Sequence, residues 1–278
     1  MPPCGNVSSE VSAPSGRQII TAPNGVPLLR TPTLAANGIL HGFTTRQGGE
    51  SPSPFATLNL GRGVGDHPDR VAANRRRALE AVGCDPAGHV EAAQVHGRTV
   101  MVVGRGQRGA KIDGADALLT AEPGVTLAIH TADCVPILLW DPRRGAIGAV
   151  HAGWRGTAVG VTAAAVEEMT RSFETDPADL RVAMGPAVGP CHYEVDTPVA
   201  QAFGSWPWAA AVLRPRPGRP AHWSLDLVAA NRLVLMVLGV PGEHIWTSGL
   251  CTACEADLFF SYRRDGVTGR MGAMIALA

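Results

Sequence analysis

The stretch Thr126-Leu-Ala-Ile-His-Thr131-Ala-Asp-Cys134-Val135-Pro-Ile-Leu-Leu-Trp140-Asp-Pro-Arg-Arg-Gly145-Ala-Ile-Gly-Ala-Val-His151 decides the fold class. It holds three apolar runs, Thr126 to Thr131, Val135 to Trp140 and Ala146 to His151, each of strand length and bounded by polar or turn residues. Asp141-Pro-Arg-Arg-Gly145 reads as a hairpin turn between the last two. The most hydrophobic run carries His130, Asp133 and Cys134 in its middle. It falls short of the roughly 18 to 20 apolar residues needed to cross a bilayer, and so reads as buried strand around a site.

Outward from this core, strands and amphipathic helices alternate. A helix is expected from about Thr157 to Phe173, with Gly156 near its start, and a short strand over Arg181 to Met184. Upstream, Asp66-His67-Pro68 opens a helix over Asp69 to Val82, with Asp66 as cap and Gly83 at its end. Val71, Asn74, Ala78 and Val82 share one face, and Arg75, Arg76 and Arg77 read first as a solvated face, with anion binding as the minor option. Downstream, Ser224 caps a helix over Leu225 to Leu238 that ends at Gly239, and Ala273 to Leu277 is a strand. The Pro- and Arg-rich segment Pro207 to Pro220 reads as a surface loop. Residues 1–18, rich in Pro, Ser and Gly, read as a disordered tail ahead of one α/β domain over 19–278, a mixed sheet with helices outside it.

Composition narrows the class. The chain has 278 residues, 45% hydrophobic and 17% charged, which suits a globular core. Its 24 Lys and Arg balance 24 Asp and Glu, so nothing recommends nucleic acid or a membrane surface as partner. Six cysteines with no secretory pattern at the N-terminus point to reduced thiols in a cytoplasm.

His96, Cys134 and His151 each fall at a strand end or adjoining turn. If the three strands are neighbours, their side chains converge on a donor set suited to zinc, with the fourth position open. Three other readings compete. A lone buried His is usually a hydrogen-bonded core residue, and a lone Cys a small inert one. Cys134 or Cys191 could instead be a nucleophile activated by His151 or His192. Adjacent positions on a strand would send Cys191 and His192 to opposite faces. Cys251-Thr-Ala-Cys254 is a single CxxC with no second pair, and reads as two structural cysteines near a turn. Arg155, at the start of a helix, and Arg46 and Arg264, in Gly-containing loops, are candidate donors to phosphate.

Phe43-Thr-Thr-Arg-Gln-Gly-Gly, Leu58-Asn-Leu, Gln94-Val-His-Gly, Ala115-Asp-Ala-Leu, Thr131-Ala-Asp-Cys-Val-Pro, His151-Ala-Gly-Trp-Arg-Gly, Gly185-Pro-Ala-Val-Gly-Pro-Cys, Tyr193-Glu-Val and Phe260-Ser-Tyr-Arg-Arg-Asp-Gly occur in this order. Together they make the chain closely resemble the laccase-domain family, also called the multicopper polyphenol oxidoreductase or purine nucleoside phosphorylase family, from about Leu40 onward. The resemblance implies an α/β sandwich of mixed sheets with flanking helices, and one zinc held by His96, Cys134 and His151. It implies phosphorolysis of adenosine, inosine and methylthioadenosine, together with deamination of adenosine. Arg46 and Asn59 match the family's active-site pattern. Asp133 and Cys134 are further catalytic candidates, and Gln94, Trp154, Arg155 and Arg264 join Arg46 as candidates for holding nucleoside and phosphate. Laccases proper hold their coppers largely with His-x-His pairs, whereas this chain has nine histidines and no such pair. Copper remains an alternative occupant of the same three donors, since copper(II) competes well for nitrogen and sulfur. Hydrolysis of another amide or amino group, as in editing of cell-wall precursors, and metal binding without turnover are the other readings.

Overall fold

Along Val135–Asp141 the side chains alternate between two different cores. Val135, Ile137 and Leu139 belong to one buried cluster, and Leu138 and Trp140 to another. The hairpin partner Ala146–Ala152 does the same, with Ala146 and Val150 on one side and Ile147 and Ala149 on the other. A strand apolar on both faces must be covered on both. The computed structural model, which describes residues 18–35 and 38–278, shows the covering layers.

These two strands are central in a six-stranded sheet, in spatial order Ile245–Thr247, Arg181–Met184, Val135–Asp141, Ala146–Ala152, Ala117–Thr120 and Val100–Val102. Helices Val161–Phe173 and Leu227–Val237 lie on its outer face, where Ala165, Met169 and Leu235 join the first cluster. Its inner face packs on a seven-stranded sheet ordered Gln18–Thr21, Pro27–Arg30, Ile39–Thr44, Met271–Leu277, Thr126–Thr131, His89–Ala93 and Lys111–Asp113. Leu127, Ile129, Ala273 and Ile275 fill the space between the sheets. Ala128, Met274 and Ala276 point away, towards Ala78 and Val82 of helix Pro68–Val82. Both sheets mix parallel and antiparallel pairs. The result, four layers deep, is an α/β sandwich of mixed sheets with flanking helices, as the family resemblance implies.

Several local expectations need correction. His67, not Asp66, caps helix Pro68–Val82, accepting from Asp69 N; Asp66 instead accepts from Ser51, Asn59 and the His67 amide. Arg75 is buried and ion-paired with Glu91, so the arginine triplet is not one solvated face. The helix expected over 157–173 is two helices, Trp154–Ala158 and Val161–Phe173, broken at Gly160 with φ 85°. Asp226 caps the later helix through Ala229 N, while Ser224 and Leu225 end strand His222–Leu225. That strand pairs with Leu213–Pro215, inside the segment expected to be loop, which also holds helix Ala209–Val212. The expected tail over 1–18 lies outside the described residues except for Gln18, which begins a strand.

One buried group gives the fold a pH limit. His41 is 1% exposed, and its Nε2 accepts from the Thr31 amide at 3.1 Å. Burial, assisted by the charge of Arg30, holds its pKa at about 4. The unfolded chain binds this proton about 2.5 pH units more readily, since free His titrates near 6.5. Its contribution is therefore complete above about pH 6.5 and falls by about 3 kcal/mol as the pH drops towards 4. Denaturant unfolding of His41→Gln, whose amide oxygen keeps the acceptor, should show a flatter loss over this window than the parent chain. Equal slopes would clear His41.

Candidate metal centre and its cavity

Topology brings the three expected donors together. Strands His89–Ala93 and Thr126–Thr131 run parallel, so their C-terminal ends lie at one edge of the seven-stranded sheet. The first leads to His96. The second leads to Cys134, at the turn where the chain crosses to the six-stranded sheet. Strand Ala146–Ala152 runs antiparallel to Val135–Asp141, which sets His151 opposite Pro136, two residues from Cys134. Of the strands leading to the three donors, His89–Ala93 and Thr126–Thr131 are paired, while Ala146–Ala152 belongs to the other sheet.

The ligating atoms of His96, Cys134 and His151 all lie within 4.8 Å of one another. The two imidazoles meet edge to face with centroids 4.8 Å apart. Asp116, fully buried, organises them. Its Oδ1 accepts from His151 Nδ1 at 2.8 Å and His96 N at 3.0 Å, and its Oδ2 from Gly97 N at 2.6 Å and Val95 N at 3.2 Å. The Nδ1 proton so held leaves His151 Nε2 as the lone-pair nitrogen. The same carboxylate supports His96 at φ 61°, a strained value for a non-glycine residue. Burial pushes the Asp116 carboxyl up, but the His151 and amide donors reverse this and hold it below the usual range.

Burial alone would also raise the Cys134 thiol, but His151 and His96 hold it at about 6. Against its own burial, His151 is held at about 9 by Cys134 and Asp116. Without a metal, these shifts favour a thiolate beside an imidazolium, whose Nε2 proton a bound metal would displace. Gly153 closes the arrangement, since a Cβ there would lie 2.7 Å from His96 Nδ1 and 2.9 Å from Cys134 Sγ. Two nitrogens, one thiolate and a cradle with no room for a methyl group fit a zinc-sized ion with one position open.

The three donors open onto a cavity of about 840 Å³. Of the expected site residues, Gln94, Asp133, Trp154 and Arg155 line it. Gln94 makes two bonds to the His130 backbone, at 2.7 and 2.8 Å, and ties the two parallel strands together. Asp133 is engaged at both oxygens, by Thr252 Oγ1 and Arg263 N, each at 2.6 Å. Arg155 lies over the Trp154 ring at 4.8 Å.

Three expected residues lie outside that cavity. Arg46 faces a separate hollow of about 200 Å³, donates to the carbonyls of Ala56 and Ala256, and sits over Phe260 at 4.7 Å. Asn59 is buried and holds the backbone of Arg270 and Gly61. Arg264 donates to the carbonyls of Thr252 and Phe259 and pairs with Asp265.

Sequence reading missed Asp116, although its motif was in view, and missed the cavity's remaining cations and rings. Arg62, Arg263 and Arg270 line the cavity, with Tyr193 and Tyr262 beside them. His130 does too, its imidazole held well below its usual pKa by burial and then by Arg75, His89 and Arg62.

Residues 40–278 match the family described as multi-copper polyphenol oxidoreductase laccase. The chain belongs to this family. It is 47% identical over 259 residues to a purine nucleoside phosphorylase of Deinococcus radiodurans, covering 93% of this chain and 95% of that one. It is 44% identical over 246 residues to the purine nucleoside phosphorylase YlmD of Geobacillus stearothermophilus, covering 86% and 90%. The crystal structure of YlmD from that organism superposes with a TM-score of 0.83 at 42% identity, covering 90% of this chain and 96% of that one. The hypothetical protein YfiH of Bacillus licheniformis superposes at 0.86 with 36% identity, covering 93% and 97%.

Proposed function

We propose that this protein is a cytoplasmic, zinc-dependent purine nucleoside phosphorylase acting on adenosine, inosine and methylthioadenosine, with adenosine deaminase activity. The observation that carries this reading is the open three-donor group His96, Cys134 and His151 at the wall of a cavity of about 840 Å³. That volume falls within the roughly 300–1,000 Å³ common for small-molecule sites, and suits a nucleoside with phosphate beside it. Relatives of 44 and 47% identity are named purine nucleoside phosphorylases. No helix among the described residues is long and apolar enough to cross a membrane. With a formal net charge of zero, the chain gives nucleic acid no general electrostatic footing.

Zinc held by the three donors would supply Lewis-acid activation within reach of the substrate, and copper(II) would compete for the same set. The chain's own residues do the rest. Arg155, Arg263 and Arg270 line the cavity and form no salt bridge with a carboxylate among the described residues; Arg155 and Arg263 lie over the rings of Trp154 and Tyr193, and Arg270 gives its Nη1 to the carbonyls of Thr268 and Gly269. They are the anion donors of this reading. Arg46 and Arg264, occupied by carbonyl groups, brace loops beside them, and Asn59 fixes the backbone from which Arg270 projects. Trp154, Tyr193 and Tyr262 supply ring faces for the base or sugar. Asp133, engaged at both oxygens, positions Cys134 and Arg263.

The test is product analysis of the zinc-loaded protein with adenosine, with and without phosphate, beside a Cys134→Ala control. Adenine with ribose 1-phosphate should form only when phosphate is present, and inosine in both conditions. The control should form neither. A protein that keeps its zinc yet yields no product from any of the three nucleosides would sink the proposal and favour hydrolysis of a larger amide.

A further inference from the structure

A second group of soft donors lies on the far side of Asp133. The turn at Cys191 and His192 meets the turn Cys251-Thr-Ala-Cys254, and one ligating atom from each of Cys191, His192, Cys251 and Cys254 lies within 4.8 Å of all the others. His192 Nδ1 is 3.4 Å from Cys191 Sγ, 3.4 Å from Cys254 Sγ and 3.9 Å from Cys251 Sγ, and Cys191 Sγ is 3.6 Å from Cys254 Sγ. A tetrahedron with Zn–S of about 2.3 Å and Zn–N of about 2.0 Å has S···S edges of about 3.8 Å and S···N edges of about 3.5 Å. These four edges lie near those values, the longest being His192 Nδ1 to Cys251 Sγ, and the other two pairs lie within 4.8 Å. Adjacent residues reach one point because Cys191 and His192 lie in a turn, not on the strand that would have sent them to opposite faces.

We infer that Cys191, His192, Cys251 and Cys254 form a second, closed zinc site that clamps two loops behind the cavity. Four protein donors leave no open position, which marks a structural site, and CxxC is a usual structural-zinc spacing. The surroundings suit a metal-bound thiolate: the Gly189 amide donates to Cys251 Sγ at 3.2 Å. The two loops are already adjacent, with Thr252 N donating to Ala187 O at 3.0 Å. Both reach the first site. Val188 N donates to Asp133 O at 2.9 Å, and Thr252 Oγ1 to the Asp133 carboxylate. The clamp thus fixes the residue before Cys134 without touching substrate.

Cys254 is disulfide-bonded in this structure, contrary to the expectation of reduced thiols throughout. Metal loading therefore requires a dithiol reductant. The protein S–S bond breaks, the dithiol gives up two electrons and closes its own disulfide, and both protein sulfurs return as thiols. Cys191, Cys251 and Cys254 then each release a proton to solvent as they take the ion. For Cys254, the disulfide and zinc ligation are alternative states.

The experiment is zinc counting on the full chain, reduced with a dithiol and dialysed against zinc at low micromolar concentration. The reduced parent chain should hold about two zinc ions, and Cys134→Ala, Cys251→Ser and His192→Ala about one each. Cys134→Ala combined with His192→Ala should hold none. Cobalt taken up by Cys134→Ala should show the intense charge-transfer absorption of several thiolates, which a histidine-only or adventitious site lacks. His192→Ala, a change in a turn, keeps the test decisive if Cys251→Ser does not fold. A reduced Cys134→Ala chain that takes up no zinc, or a His192→Ala variant with the parent's count, would overturn the inference.

Discussion

A Gly153→Ala variant should fold normally and lose about two orders of magnitude in turnover, because a misplacement of about 1 Å at a reacting centre is enough for that. The backbone at 153, φ −76° and ψ 172°, is one that alanine adopts without strain. Gly153 also caps helix Trp154–Ala158 without a side-chain bond, and replacing a glycine cap by alanine costs less than about 1 kcal/mol. The fold tolerates that. The site does not. The new methyl carbon would stand 2.7 Å from His96 Nδ1 and 2.9 Å from Cys134 Sγ, well inside van der Waals contact. Neither donor can retreat cheaply. Cys134 is in a short turn whose preceding residue, Asp133, sits at φ 101°, and His96 is held at φ 61° by Asp116. The methyl group therefore separates the donors. Zinc affinity and nucleoside turnover should fall together while the thermal midpoint stays within a few degrees of the parent. Normal zinc binding and turnover would show that the two donors do not pack against position 153 in the working enzyme.

The sequence made the central strands and the three donors legible for different reasons. Apolar runs of strand length bounded by Asp-Pro and Gly report burial directly, so the hairpin over Val135 to His151 could be read from one dimension. The donors were legible because His and Cys at strand ends are unusual in such apolar surroundings. What was not legible depends on partners distant in sequence. Arg75 reads as exposed until Glu91 arrives from a neighbouring strand to neutralise it. Asp66 and Ser224 were reasonable caps beside better ones, and the choice of His67 and Asp226 follows from where the chain enters each helix. Arg46 looked like a phosphate ligand in its Gly-containing loop, but the carbonyls of Ala56 and Ala256 claim its guanidinium. The four-donor group of Cys191, His192, Cys251 and Cys254 was dismissed piecewise, because no spacing rule says that two turns some 60 residues apart will meet. Asp116 is the most instructive omission. Its importance lies wholly in four N–H groups that converge on it, and three of those are backbone.

Those four donors make Asp116→Asn the most informative change of a single atom. Both carboxylate oxygens accept two N–H groups each: His96 N and His151 Nδ1 on one, Val95 N and Gly97 N on the other. An asparagine supplies one acceptor oxygen and one NH2, so either orientation turns two hydrogens towards two hydrogens. If the amide nitrogen faces His151, the ring must abandon the tautomer that leaves Nε2 for the metal. If it faces Gly97, the loop carrying His96 loses its anchor. Either way one of the three donors is misaligned, and loss of such an outer partner commonly lowers metal affinity by about 10- to 100-fold. Stability should fall as well, by about 3 kcal/mol, since buried hydrogen bonds to a charged acceptor are among the stronger ones. The two effects separate by experiment. Unfolding in denaturant measures the loss of stability, and zinc titration followed by turnover at saturating zinc measures the loss of metal affinity. Turnover restored by excess zinc would assign Asp116 to metal retention alone, and turnover still depressed in a fully loaded, folded variant would assign it to donor alignment. Parent-like affinity and stability together would mean that the carboxylate is not the organiser of this site.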